Sequence, residues 1–294
     1  MPEFTLSVCG PVSWNHILVL DTLPAPVPHM QFARDAWWTV GGTSAGKALH
    51  LQALGRHPVL HALIADDDAG RSVSRSLAAA GVEVRAYPSE HTESHVNLMD
   101  PTGGRVSLYV QVPTAPSDEA VAEVARGMSR STHAIVDLSP FGAAVLATLS
   151  AAPSKPMIWA DLHDYDGTSE FHEPFVRHSD VVFMNDDAVD DPWQLLDSCL
   201  ARGPRLAVCT RGAQGAIALE AGGRRTSVPA AAVGVIADTN GAGDAFMAGF
   251  LDAYARGANV AASLSAGAEQ AVVALTTRHL HPLLDAANPE HDRS

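Results

Sequence analysis

Apolar runs broken by glycine and proline open the chain. Residues 5–9 run into Gly10-Pro11, residues 17–20 into a turn rich in proline (Pro24, Pro26, Pro28), and residues 37–40 into Gly41-Gly42. That punctuation predicts three short strands. From Thr43 to Leu54 the apolar positions Ala45, Ala48, Leu49 and Ala53 recur at helical spacing, with Gly55 as the stop. Beyond it, apolar segments at 59–64, 82–85, 133–138, 157–161, 180–184 and 206–210 alternate mostly with amphipathic stretches of helix length. This alternation predicts an α/β fold: a central doubly wound, mostly parallel sheet flanked by helices. One segment departs from it. Residues 94–100 and 105–110 flank Pro101-Thr102-Gly103-Gly104, the turn chemistry of a β-hairpin. With the early strands it forms a small β-lid, drawn from about 12–40 and 86–112. Residues 215–219 and 224–228 read as strands, and 242–255 and 260–277 as two alanine-rich helices. No repeat or low-complexity linker divides the chain, so residues 1–294 read as one domain.

Composition narrows the chemistry. The 294 residues carry 33 acidic and 19 basic side chains, a net charge of −14 without a basic run. That balance argues against nucleic acid or an anionic membrane as general partner, so any phosphate must be held locally. No apolar run approaches the roughly 18 residues of a membrane span. The N-terminal residues lack the pattern of a secretory signal. Cys9, Cys199 and Cys209 form neither a disulfide framework nor a zinc pattern. A cytoplasmic protein with reduced thiols is the expectation.

The chemistry concentrates in Asp238-Thr239-Asn240-Gly241-Ala242-Gly243-Asp244, just before a helix that carries Phe246, Phe250, Leu251 and Tyr254. Three small residues open that helix. Their backbone N–H groups have no intrahelical partner, and without bulky side chains they admit an anion closely, which the helix dipole also favours. Asp244, one residue further, can accept a proton from a hydroxyl attacking a bound phosphoryl group. On its own, GAGD reads equally well as a turn followed by a first-turn acid.

The longer stretch DTNGAGDAFMAGF resembles the C-terminal signature of the ribokinase-like (PfkB) carbohydrate kinases, DTxGAGD followed by a Phe-containing helix. The resemblance extends over nearly the whole chain. GPVSWNHILVLDTLPAP is similar to the family's first strand and lid segment, and Gly41-Gly42 to its N-terminal Gly-Gly motif. Residues 65–70 (ADDDAG) sit where the family carries a Gly-x-Asp-x-x-Gly turn, and residues 210–215 (TRGAQG) resemble its nucleotide-side Thr-x-Gly-x-x-Gly. The resemblance implies a ribokinase-like fold and transfer of the γ-phosphoryl of ATP to a hydroxyl of a small sugar or related polyol. It assigns Asp244 as general base and Gly241, Ala242 and Gly243 as anion hole. Asn15, Gly41, Gly42 and Gly46 fall at substrate positions, and Asn185, Thr210, Gly212 and Gly215 on the nucleotide side. Lys47 and His95 join the substrate candidates from their own placement. The resemblance further implies Mg²⁺ and a K⁺ beside Asp238, and exposed lid strands, which pair readily across a dimer, suggest a homodimer joined through the lid.

Three positions depart from the family pattern. Asn15 replaces an Asp that holds two sugar hydroxyls, Gly46 replaces a polyol-binding Asn, and the Asn-x-x-Glu motif that organises Mg²⁺ reads Asn185-Asp186-Asp187-Ala188. Asp186 or Asp187 is left to take over the missing carboxylate. Because all three motifs drift, a sugar- or nucleotide-binding sensor stays open beside the kinase, as does a nucleoside kinase of the same fold. A rival signal is Gly41-Gly42-Thr43-Ser44-Ala45-Gly46-Lys47, seven positions of a P-loop, which then fails at Ala48 where Mg²⁺ needs a hydroxyl. His163-Asp164 reads as surface or nucleotide-side polarity, and His279 and His281 as structural or solvated.

Overall fold

A computed structural model describes residues 4–101 and 103–287, so Thr102 of the expected turn lies outside the described residues. The chain runs from β1 (Leu6–Cys9) through β2 (Ser13–Val19) and β3 (Asp35–Gly41) into α1 (Thr43–Ala53), then β4 (Val59–Leu63), α2 (Asp68–Ala79) and β5 (Glu83–Tyr87). β6 (Glu93–Met99) and β7 (Arg105–Gln111) form the hairpin. Next come α3 (Asp118–Met128), β8 (His133–Val136), α4 (Pro140–Ser150), β9 (Met157–Asp161), α5 (Glu173–His178), β10 (Val181–Asn185), α6 (Pro192–Leu200) and β11 (Leu206–Thr210). β12 (Ala216–Glu220), β13 (Arg225–Val228), α7 (Ala242–Ala255), α8 (Val260–Leu275) and α9 (Leu283–Ala287) complete it.

Nine strands form the main sheet in the order β13-β12-β11-β10-β9-β8-β1-β4-β5, parallel except where β12 and β13 turn back. Strands buried on both faces need apolar residues at every position, with the two faces separated by the period of two. β9 shows this directly. Trp159 belongs to the core shared with α1, α2, α7 and α8 on one face, while Ile158 and Ala160 belong to the core shared with α3 to α6 on the other. The lid is a separate four-stranded sheet, β3-β2-β6-β7. Its second part is shorter than expected: residues 83–87 pair with β4 in the main sheet, and the lid resumes at Glu93.

The ADDDAG turn explains how lid and body join. Asp67 caps α2 by accepting from the Gly70 N–H at 2.7 Å, and its second oxygen accepts from the Thr92 N–H at 2.9 Å, just before β6. A Cβ on Gly70 would stand 2.1 Å from the Ala65 carbonyl, so only glycine allows the turn to close. These contacts hold the first lid strand of the hairpin against the end of β4.

Candidate active site

The site sits at the carboxyl ends of β1, β8 and β9, where open α/β sheets place their ligands. Two helices begin there. Gly41 and Gly42 lead into α1, and Gly42 adopts φ 92° against the Pro11 carbonyl, 2.4 Å from where a Cβ would lie. Gly41 has no room for a side chain because the Asn15 amide fills it. At the other entrance, Gly241 stands in the left-handed region (φ 75°) as the N-cap of α7, and no side chain caps that helix. The Ala242 N–H points to the Thr239 carbonyl at a long 3.4 Å. A Cβ on Gly243 would meet no atom within 4 Å. The amide end of α7 therefore faces open space, the condition for receiving an anion.

Asp244, in the first turn of α7, is buried at 7% exposure. Burial pushes its carboxyl up to about 6, reinforced by Asp161 and Asp137 and opposed by Lys47. Lys47 is the unexpected neighbour. The side chain is fully buried, with Nζ 2.5 Å from Asp244 Oδ1, 3.1 Å from Asp137 Oδ1 and 3.1 Å from Asp161 Oδ2. Burial disfavours its charge, yet the three carboxylates, Asp137 first, hold the ammonium well above its ordinary value. Asp137 and Asp161 stand at the ends of β8 and β9. Ser44 Oγ donates to Asp137 at 2.7 Å and the His163 N–H to Asp161 at 3.2 Å. Burial would raise Asp161, but His163 and Lys47 together hold it below the usual carboxylate range.

Asp244 forms part of the wall of a cavity of about 670 Å³ between body and lid. Lid strands contribute Asn15, Ile17, Thr39, His95, Asn97 and Tyr109, and the opposite wall includes Phe141 and Phe171. Asn15 Oδ1 and Asn97 Oδ1 are buried acceptors without a hydrogen-bond partner among the described residues. His95 Nε2 lies 3.0 Å from Glu93 Oε1, and its ring centroid is 3.9 Å from that of Tyr109. Arg105 of β7 donates to the Asn240 side-chain oxygen, tying the lid to the loop before α7. Asp238 shapes the same loop, since both its oxygens accept from Asn240, each at 2.9 Å.

The nucleotide-side residues gather one strand further along. Asn185 and Thr210 are register partners at the ends of β10 and β11, and the Asn185 N–H donates to the His163 carbonyl at 2.8 Å. Gly212 is open around its Cβ position, whereas Gly215 is packed 2.1 Å from the Val228 carbonyl and serves the turn. Asp186 pairs with Arg211 at 3.3 Å, and Asp187 is exposed beside it. Among the described residues no group of three His, Cys, Asp or Glu could hold a metal by itself.

Of the substrate candidates, Asn15, Gly41, Gly42 and His95 line the cavity, and Gly46 and Lys47 do not. Lys47 is sealed behind Asp244, so it meets neither a substrate nor, as a P-loop lysine would, a phosphate. His163 and His279 also reach the cavity wall. His279 holds Thr39 Oγ1 at 2.7 Å, and His163 carries a rare positive φ of 52°. Sequence reasoning missed Asp137, Asp161, Asn97 and Arg105. For the two aspartates a signal existed: each ends an apolar run expected to be a parallel strand, where ligand sites gather.

Residues 26–285 match the description of the pfkB family carbohydrate kinases. The chain belongs to the PfkB family. This PfkB kinase is 31% identical over 283 residues to the acarbose 7(IV)-phosphotransferase of Actinoplanes sp., covering 94% of each chain. It is 25% identical over 233 residues to the fructoselysine 6-kinase of Escherichia coli, covering 77% of this chain and 86% of that one. Among solved structures, a microbiome-derived acarbose kinase, Mak1, superposes with a TM-score of 0.83 at 29% identity, covering 94% of both. The ribokinase of Arabidopsis thaliana, at 17% identity and a TM-score of 0.77 over 99% of this chain and all of that one, shares the fold. The PfkB assignment makes this an ATP-dependent sugar kinase with a ribokinase-like fold, and kinases of this family use ATP with a divalent metal. In the described part of the kinase no helix is long and apolar enough to cross a membrane.

Proposed function

We propose that this kinase phosphorylates a hydroxyl of an extended glycoside, an acceptor larger than a monosaccharide, with Asp244 as general base. The observation that carries this is the placement of Asp244 in the wall of a 670 Å³ cavity, at the open amide end of α7. A cavity of that size is typical of sites for drug-sized ligands, and a single sugar ring leaves much of it empty. The buried acceptors Asn15 Oδ1 and Asn97 Oδ1 call for hydroxyl or amine donors, which a polyol supplies. The relatives named for acarbose supply the first acceptor to test.

ATP bound over the ends of β10 and β11 would supply the phosphoryl group, and Mg²⁺ the charge that offsets its oxygens. Asp187, with Asp186 if it leaves Arg211, would hold the magnesium. The amides of Gly241, Ala242 and Gly243 donate to the charge that develops on the transferred group. Asp244 accepts the acceptor proton late, as the new oxygen–phosphorus bond forms. The lid, held by Arg105 to Asn240, keeps water from competing with the acceptor.

Acceptor-dependent ADP release across monosaccharides, nucleosides and oligosaccharides including acarbose tests this. The glycosides should show the highest kcat/KM. A tenfold preference for a free monosaccharide or a nucleoside would overturn the acceptor class. For assembly, β7 is exposed at all seven positions, with Val106, Leu108 and Val110 on one face, and supports pairing of two lids. A monomer mass in solution at micromolar concentration would refute that pairing.

A further inference from the structure

We propose that Lys47 is a positioning residue for phosphoryl transfer: its buried ammonium takes one oxygen of Asp244 and so fixes the carboxylate in the cavity wall, with the other oxygen left for the acceptor hydroxyl. This rests on Asp244 acting as the base. The geometry points to it in three ways. First, Nζ takes Oδ1 at 2.5 Å, while no hydrogen bond among the described residues reaches Oδ2. Second, Oδ2 lies over Gly46, 2.8 Å from where a Cβ would stand, so the missing side chain at 46 is what lets the carboxylate rest against α1 within reach of Lys47. Third, the ammonium is itself fixed by Asp137 and Asp161, and Ser44 and His163 hold those two in turn. A clamp of this kind works only if its own parts are locked.

Stability alone does not account for such a residue. A buried charge cluster is often matched or bettered by apolar side chains of similar volume, and Lys47 is flanked in α1 by Ala45, Ala48 and Leu49 of the core. Lys47 does not line the cavity, so it acts through Asp244 and not on the substrate. Nor does it relay protons, because the carboxylates keep it charged. The groups facing Asp244 are Lys47 from α1, Asp137 from the end of β8 and Asp161 from the end of β9. His163 stands behind the last, with Nδ1 3.7 Å from Asp161 Oδ2. With one ammonium among three carboxylates, loss of the ammonium raises Asp244 further.

The test compares Lys47→Met, Lys47→Ala and Asp244→Asn in the full chain, with thermal unfolding as the folding control. Lys47→Met should lower kcat about 100-fold, the scale of a displaced reacting group, with acceptor KM nearly unchanged. Its acid limb in kcat/KM should move to higher pH. In Lys47→Ala, added ethylammonium should restore part of kcat in a saturable manner, which a structural defect would not allow. If Lys47→Met does not fold, Lys47→Met with Asp137→Asn removes one of the stranded charges and takes its place in the same comparison. A folded variant with native kcat and an unmoved acid limb would overturn the role of Lys47. Full turnover by Asp244→Asn would instead overturn the base assignment beneath it.

Discussion

Replacing Asp244 by Asn should inactivate the enzyme and at the same time stabilise it. The carboxyl titrates at about 6 in the folded chain against an ordinary 3.8, with burial as the largest cause. Raising an acid by that interval disfavours its ionised form by about 3 kcal/mol relative to the unfolded chain. The sign follows from the raised value. The stabilising contribution is complete below 3.8, where the carboxyl is protonated in both states, and is lost as pH rises through 6. Asn resembles the protonated acid at every pH. The variant should therefore match the native enzyme near pH 4 and exceed it by about 3 kcal/mol above pH 7, a gain of several degrees in Tm for a chain of this size. Thermal unfolding of both proteins without ligand at pH 4.5, 6 and 8 measures the gap directly. Turnover should fall by roughly 10² to 10⁴, the usual contribution of a general base. A variant no more stable than the native enzyme at pH 8, or a gap that does not change between pH 4.5 and 8, would refute the claim that Asp244 is held at a cost.

In the native enzyme kcat/KM should fall tenfold per pH unit below about 6, because protonated Asp244 cannot accept a proton; a pH–rate profile flat down to 5 would contradict this. Gly46→Asn, which restores the side chain usual in the family, should drive its Cβ into Asp244 and destabilise the fold by about 1–3 kcal/mol while lowering kcat; differential scanning fluorimetry and steady-state rates read both. Gly243→Ala places its Cβ in empty space within α7, so Tm should hold or rise slightly while KM for ATP increases. Asp67→Ala removes the cap of α2 and the anchor of Thr92, and should cost about 1–2 kcal/mol in chemical denaturation and raise acceptor KM as β6 loosens.

Much of this was legible in the chain. The alternation of apolar runs with amphipathic stretches carries the doubly wound sheet, because strands covered on both faces cannot hide their composition. Residues 238–244 carry the open helix end, because the small residues and the acid after them stand in the longer stretch DTNGAGDAFMAGF, which resembles the family signature. Lys47 shows where such reading stops. Its sequence context, a glycine-rich turn ending in Gly46-Lys47, follows a phosphate loop until Ala48 breaks it, and only the fold reveals that β8 and β9 end in carboxylates around it. The partners lie 90, 114 and 197 positions away, as their numbers show, so no local pattern links them. Arg105 escaped for the same reason, since its partner Asn240 belongs to a loop 135 residues on.

Gly46 and Lys47 approach one carboxylate from adjacent backbone positions, one by absence and the other by reach. Exchanging either one disturbs the same acid. A side chain at 46 collides with the acid that Lys47 grips, and an apolar residue at 47 strands three anions in the interior. Changes at 46 and 47 therefore act on the same carboxylate, and in a double-mutant cycle their effects should not add.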